Sequence, residues 1–423
     1  MIDKKNSVFF GLMNVVLFVY FLELVFKHIT VYGDTAWICI FCLVIWFGLS
    51  FINEPAFYLN LNYHRLYLFL FLVLSIVVPY IFGVGIYGNR YVSLALIPFG
   101  IIIFDYYKCF NRLRYLKVIV MSIVPFVLYT TVNTFFRLLE NPFIVRSIKS
   151  SGKYSEDLAR QGIGNYGFVY FIVVVAVILL YILVKTANKR IKFLAFWGYL
   201  LTFCFVYKTN YVTALITLVV SSAILLYVYI GKRGNRNSVI MMLAIVLGAF
   251  LLLNLDNIVL AIEDYLPKRL AMAIVPEGEQ TTLGAIFTEF TEDRWPTMLK
   301  SLEAFKENFV FGLMGNGEIN IYAGFISDFG QHSHIIDTFA LLGVFLGTMN
   351  VFVIFAPFKD MNGKWIKEQL PLTVAVCTCV ILIYLFNNAT STIALAFTII
   401  FPLVREYYIN PSSFAAPQRK EEI

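Results

Sequence analysis

The chain is expected to fold as an all-α, polytopic bundle that crosses a membrane about twelve times. Three observations carry that expectation. First, 60% of the 423 residues are hydrophobic and only 14% are charged, with a mean hydropathy of +0.78. A soluble globular domain holds ~45–50% apolar and ~25% charged residues. Second, apolar runs of near-membrane length recur along the chain, where ~20 such residues cross a bilayer as a helix. Third, lysine and arginine sort between alternate connections. Helices satisfy their own backbone groups in lipid, whereas a membrane barrel would show alternating segments of ~10 residues.

The runs lie near 8–26, 35–51, 66–83, 91–104, 116–136, 167–184, 193–207, 211–230, 239–261, 334–357, 370–386 and 389–404. The first is long and no small-x-small site follows it, so it is expected to remain as a span. The second carries Cys39 and Cys42, read as packing residues within an apolar helix. The fourth, seventh, eleventh and twelfth are short, so their ends are the least defined. Abundant Phe (42) and Tyr (26) often flank the segments, as an interfacial aromatic belt would. Few charges fall inside the runs; Glu23 and Asp256 lie near segment ends.

Numbering the connections alternately from an inside start gives the inside set 20 of the 33 lysines and arginines. Among them are Lys108, Arg112, Arg114, Lys117, Lys185, Lys189, Arg190 and Lys192. The short outside loops hold only Lys27, Arg90 and Lys208. Both termini are therefore expected in the cytoplasm. The net charge of +7 reflects this sorting beside an anionic leaflet. The basic residues are scattered over short loops, which excludes a nucleic-acid partner. Cys109 lies inside and the other five cysteines lie in apolar runs, so no disulfide framework is implied.

Two outside loops break the short-loop pattern within what reads as a single membrane domain, 1–423. The first, near 137–166, is net +2 and ends in Arg160-Gln161-Gly162-Ile163-Gly164-Asn165-Tyr166-Gly167. The second, near 262–333, sets five basic residues against eleven acidic ones. Within it, 293–307 reads as a short helix: Trp295, Met298, Leu299, Leu302 and Phe305 recur at helical spacing. Asp293 is placed to cap it, and Pro296 falls in its first turn. The stripe is expected to rest on the membrane surface or the bundle. A glycine-rich turn, Gly312-Leu313-Met314-Gly315-Asn316-Gly317, follows and permits positive φ and close backbone approach. The cytoplasmic tail 406–423 is short and polar and is expected to fray.

Ionisable groups cluster where the second loop re-enters lipid, and such groups are rarely idle at that depth. His332 and His334 are two of four histidines; His28 and His64 suggest no role. Two residues apart, His332 and His334 would point about 200° from each other on a helix. His334 and Asp337 would share a face. A neutral imidazole suits removal of a proton from a hydroxyl, although a hydrogen-bonded interfacial histidine is an equally good reading. No third ligand stands at a metal-site spacing. Guanidinium groups grip phosphate oxygens, and Arg294 and Arg160 are placed to meet a lipid headgroup on the outside face. Each has a plain alternative: Arg294 as a salt-bridge partner in an acidic loop, and the stretch after Arg160 as a return to a helix start. Lys208 is either a third cation or a snorkelling side chain.

The run Arg294-Trp295…Ala304-Phe305-Lys306-Glu307-Asn308-Phe309-Val310-Phe311-Gly312…Gly315-Asn316-Gly317, followed by His332-Ser333 and Gly343, resembles the O-antigen polymerase and ligase superfamily. That family's pattern has an arginine early in a large outside loop and then a Glu-Asn-x-x-x-Gly…Gly turn. A histidine before Asn or Ser follows, with a glycine eleven residues beyond it. Here 343 − 332 = 11, so His332 is the match. The motifs cover roughly 290–345. Ligases often carry Thr-x-Ser-Arg at the start of a mid-chain helix, where this chain has Thr209-Asn210-Tyr211-Val212.

The resemblance implies a membrane glycosyltransferase on the outer face of a bacterial inner membrane. Its donor would be a growing glycan on undecaprenyl pyrophosphate and its acceptor a single repeat unit on the same lipid. His332 would act on the acceptor hydroxyl; Arg294 and Arg160 would stabilise pyrophosphate. Gly315, Gly317, Lys208, His334 and Asp337 are the candidate substrate contacts. No metal or other cofactor is implied, and a chain-length regulator and a flippase would be natural partners. The alternatives are a ligase that moves finished glycan to another acceptor, and a transporter of the lipid-linked unit. A transporter would favour internal repeats and mid-helix charges, which the chain lacks.

Overall fold

The computed structural model describes residues 4–26, 35–59, 62–81, 89–141, 143–147, 157–158, 160–231, 295–313, 321–322, 325–326, 330, 332–359, 367–387 and 391–414. Fifteen α-helices are present among them: α1 (Lys4–Val25), α2 (Thr35–Asn53), α3 (Ala56–Leu59), α4 (Tyr63–Ile81), α5 (Asn89–Cys109), α6 (Leu113–Glu140), α7 (Ile144–Ser147), α8 (Tyr166–Lys185), α9 (Lys189–Lys208), α10 (Val212–Gly231), α11 (Trp295–Glu307), α12 (His334–Phe355), α13 (Leu370–Phe386), α14 (Ser391–Leu395) and α15 (Phe401–Ile409). An antiparallel pair of two-residue strands, β1 (Ile321–Tyr322) and β2 (Phe325–Ile326), and short 3₁₀ or π turns at Ala356–Phe358, Ala396–Ile400 and Pro411–Phe414 complete the described elements.

Among the described residues, seven helical segments are long and apolar enough to cross a membrane: Val8–Val25, Leu113–Glu140, Tyr166–Lys185, Lys189–Lys208, Val212–Gly231, His334–Phe358 and Thr392–Ile409. Shorter apolar helices run over Ile38–Asn53, Tyr63–Ser75 and Leu370–Phe386. The expected run 239–261 and the first part of the second loop lie outside the described residues, as does Asp256. The expected run 389–404 is not one continuous α-helix. It passes through a π-helical turn, Ala396–Ile400, into α15. Pro402 has no backbone N–H to continue the ladder, which is a recurrent cause of such turns.

Helix α8 is the centre of the bundle. Nearly every residue from Gly167 to Tyr181 is buried, because the helix is apolar on all faces. It packs against α9, α10, α13 and α14. The peripheral helices instead expose large apolar side chains. Phe193, Leu194 and Trp197 on α9 are 62%, 69% and 52% exposed, a surface suited to lipid rather than water. Cys39 and Cys42 are buried in the α2 packing surface.

Contacts between distant elements define two ends. At one, Lys108 pairs with Glu406 at 2.6 Å and Arg112 with Glu54 at 2.8 Å. Arg405 Nη1 donates to the Pro357 carbonyl at 2.6 Å, and Tyr181 bonds Gln369. This end gathers much of the basic set that sequence alone assigns to one side. The segment 406–414 belongs to it and is folded, contrary to the expected fraying. Glu406 is buried, Gln369 donates to the Tyr408 carbonyl, and Lys117 lies over the rings of Tyr407 and Phe414. Apolar and aromatic residues just past the last charged turn hold it in place. At the opposite end lie the starts of α8 and α12 and the ends of α9 and α13.

Candidate functional site

The re-entry at α12 begins with a cap. Ser333 has extended backbone angles and its Oγ accepts from the Ile336 N–H at 3.2 Å. Asp337 reciprocates from the first turn, its Oδ2 accepting from the Ser333 N–H at 3.1 Å. A carboxylate near a helix N-terminus also meets the favourable end of the macrodipole. Its other oxygen, Oδ1, accepts from Ser301 Oγ of α11 at 2.7 Å. Ser301 Oγ in turn accepts from the Gly330 N–H at 2.9 Å. Asp337 and Ser301 are both buried, so this charge-assisted bond fixes α11 against α12 in a place where water does not compete.

Helix α11 falls within the predicted helix. Its buried face is Met298, Ser301 and Ala304, with Leu302 and Phe305 half-buried. Trp295 is 52% exposed and Leu299 is 38% exposed, so only part of the large apolar stripe meets the bundle. Small residues at 301 and 304 let α11 approach α12 closely. Asp293, the expected cap, lies outside the described residues.

Beyond α11 the chain turns through Asn308–Phe311 to Gly312 and seats its backbone in a break in α12. Gly343 has φ 71° and ψ −172°, which interrupts the helix. The Val344 N–H, released from its helical partner, donates to the Phe309 carbonyl at 2.8 Å. A Cβ at Gly343 would lie 2.2 Å from the Val310 oxygen; one at Gly312, where φ is 69°, would lie 2.3 Å from the Leu341 oxygen. These are contacts that only hydrogen permits. The positive φ and close approach expected of the glycine-rich turn thus occur at Gly312. Gly315 and Gly317 lie outside the described residues.

The two histidines divide sharply. His332 is exposed and precedes the helix, while His334 is its first residue and only 4% exposed. The 200° separation expected on a continuous helix does not apply, since Ser333 between them is the cap. The His334 ring lies against Tyr384 at 4.6 Å, and its backbone N–H donates to the Asn387 carbonyl at 3.1 Å. Asn387 closes α13. Its side-chain oxygen accepts from Tyr166 and, at 3.0 Å, from Tyr170, both on α8. Tyr211 stacks edgewise on Tyr166 at 5.2 Å. His334 is therefore part of a buried aromatic support under the exposed His332. Asp337 does share its face, as spacing predicts, and is buried with it.

Arg160 and Lys208 lie at this same end. Arg160 is exposed, and the chain after it is tied to α6: Asn133 Nδ2 donates to the Gln161 carbonyl at 2.6 Å, and the Gly164 N–H to Thr134 Oγ1 at 2.8 Å. Asn165 then caps α8 by accepting from the Phe168 N–H. The N–H groups of Ile163, Gly164 and Phe168 are thus engaged within the protein. That arrangement matches the return to a helix start. Lys208 ends α9 with its ammonium 5.9 Å from the Tyr207 ring, before a tight turn in which Asn210 takes φ 57°. Arg294 lies outside the described residues, one position before α11.

Sequence reasoning missed Ser301 and Asn387, and gave Ser333 no role beyond its place after His332 in the motif. Ser333 had a signal, a serine directly before an apolar helical run. Ser301 and Asn387 had none, because their partners are distant in sequence. Among the described residues, no three His, Cys, Asp or Glu side chains gather as a metal site would require. The arrangement offers an exposed imidazole just before α12 and an exposed guanidinium at the same end of the bundle, with a buried carboxylate joining α11 to α12. Comparison with protein-family models, curated proteins and solved structures returned no match to this chain.

Proposed function

We propose that the chain polymerises lipid-linked oligosaccharide repeat units into O-antigen or a related surface polysaccharide. In this reading it crosses a bacterial inner membrane about twelve times, with both termini cytoplasmic and the loops near 137–166 and 262–333 outside. The donor is a glycan on undecaprenyl pyrophosphate, and the acceptor is one repeat unit on the same lipid. An acceptor hydroxyl attacks the donor anomeric carbon and a glycosidic C–O bond forms. The bond from that carbon to the pyrophosphate oxygen breaks, and the lipid pyrophosphate leaves. His332 takes the hydroxyl proton as general base. Arg294 and Arg160 stabilise charge on the departing pyrophosphate, with Lys208 as a further cation. Arginines in that role leave no need for a metal.

The observation that supports this reading is the joining of Gly312 to Gly343 beside the Asp337–Ser301 bond. It gives a physical role to the two glycines that carry the family resemblance. It also leaves His332 exposed while His334 is buried, in keeping with the spacing that singles out His332. The test is made in cells that lack the chromosomal copy. His332→Ala and Arg294→Ala should leave single repeat units on the final acceptor, with protein level unchanged. Long chains persisting in both variants would refute the site. Loss of all attachment would indicate a ligase, and cytoplasmic-side accumulation of lipid-linked units a transporter.

A further inference from the structure

At the basic end of the bundle, away from His332, the structure holds a small recess, partly open to solvent. His64 at the start of α4, Asp105 and Lys108 at the end of α5, Pro357 and Lys359 after α12, and Arg405 on α15 line it. Its depth is graded: the Lys108 side chain is 30% exposed at the rim, whereas Arg405 is 2% exposed. We infer that this recess is a binding site for a phosphate group, the headgroup phosphate of an anionic lipid being one source and free phosphate the other.

The charge balance points to an anion. Among the described residues, Arg65, Lys108, Lys359 and Arg405 act in or beside the recess, against the carboxylates of Asp105, Glu368 and Glu406, which leaves an excess of one positive charge even with His64 neutral. Lys108 holds Glu406 at 2.6 Å, and Lys108, Arg65 and Arg405 act on Asp105, so both carboxylates already have cationic neighbours. Arg405 is the second, independent observation. It is buried, one of its five N–H donors reaches the Pro357 carbonyl, and Nε has no hydrogen-bond partner among the described residues. Burying a guanidinium with unsatisfied donors is costly unless an anion completes it. Phosphate suits that fork, and basic pockets between membrane helices on the cytoplasmic side are suited to anionic headgroups. None of these residues belongs to the glycosyl-transfer reading, so neither proposal depends on the other.

The test uses the full chain purified in detergent and native mass spectrometry with phosphatidylglycerol, with phosphatidylcholine and with inorganic phosphate. Phosphatidylglycerol adducts should exceed phosphatidylcholine adducts. Lys359→Gln, at the rim, should weaken them about fivefold, in line with one basic residue near a membrane surface. Arg405→Gln should abolish them, with its melting temperature recorded in parallel because the site is buried. Lys192→Gln, exposed at the start of α9, should change nothing. Displacement of the lipid by inorganic phosphate would make free phosphate the ligand, and resistance to displacement would make it the lipid; either result supports the site. Equal binding of the two lipids with no phosphate binding, or equal loss in Lys192→Gln and Lys359→Gln, would overturn it.

Discussion

Gly343→Ala is the most direct test of how the site is assembled. At φ 71° and ψ −172° the backbone occupies a region that only glycine enters readily, at a cost of ~1–3 kcal/mol for alanine. The new Cβ would also stand 2.2 Å from the Val310 oxygen and 2.6 Å from the Gly312 nitrogen. Backbone atoms on both sides leave no flexible side chain to yield, so the turn after α11 must lift away. Lifting removes the bond from the Val344 N–H to the Phe309 carbonyl, worth ~1 kcal/mol net. The sum is ~2–4 kcal/mol of local stability, and at ~1.4 kcal/mol per tenfold the Val344 amide should exchange ~30- to ~1,000-fold faster. Hydrogen–deuterium exchange with fragment-level mass spectrometry, on the purified full chain, reads this directly. Gly48→Ala is the control, since nothing lies within 4 Å of a Cβ there and a helix interior favours alanine by ~1 kcal/mol. Exchange at 344 unchanged in Gly343→Ala, or accelerated as much by Gly48→Ala, would refute the seating of the turn in the helix break.

Two further predictions concern the support around the rim. Ser301→Ala removes one donor from buried Asp337 and should lower stability by ~1–3 kcal/mol. In a double-mutant cycle with Asp337→Asn, thermal or denaturant unfolding should show coupling of ~0.5–3 kcal/mol, and strict additivity would mean the bond contributes nothing. Asn387→Ala removes the acceptor that Tyr166 and Tyr170 share and should cost ~1–3 kcal/mol, whereas Asn387→Asp, which keeps an acceptor, should cost less. Equal melting temperatures for those two variants would rule out the acceptor role.

Hydropathy alone located the long apolar helices that the structure describes, though not the short α3 and α7, because the need to close backbone hydrogen bonds in lipid is a local property of each run. Spacing within a few residues marked α11, its first-turn Pro296 and the turn at Gly312. Local spacing leaves open whether the α11 stripe meets the membrane surface or the bundle; Met298, Ser301 and Ala304 are the residues that pack inward while Trp295 and Leu299 stay exposed, because close helix contact depends on what the partner presents. The expected fraying after 406 does not hold for 407–414 for a similar reason, since Tyr407 and Phe414 find Lys117 on another helix; 415–423 lie outside the described residues.

What the sequence determined by itself is the helical architecture, the division of charge between alternate connections, and the short motifs around 307–317 and 332–343. What only the tertiary structure decided is which of those residues act on each other. Asp337 turns to Ser301, Asn387 gathers two tyrosines from α8 beneath His334, and Arg405 reaches Pro357 at the opposite end. The reason is physical: a residue's own hydropathy and its neighbours within a turn fix where a helix forms, whereas a buried polar group takes its partner from packing that joins segments far apart in the chain.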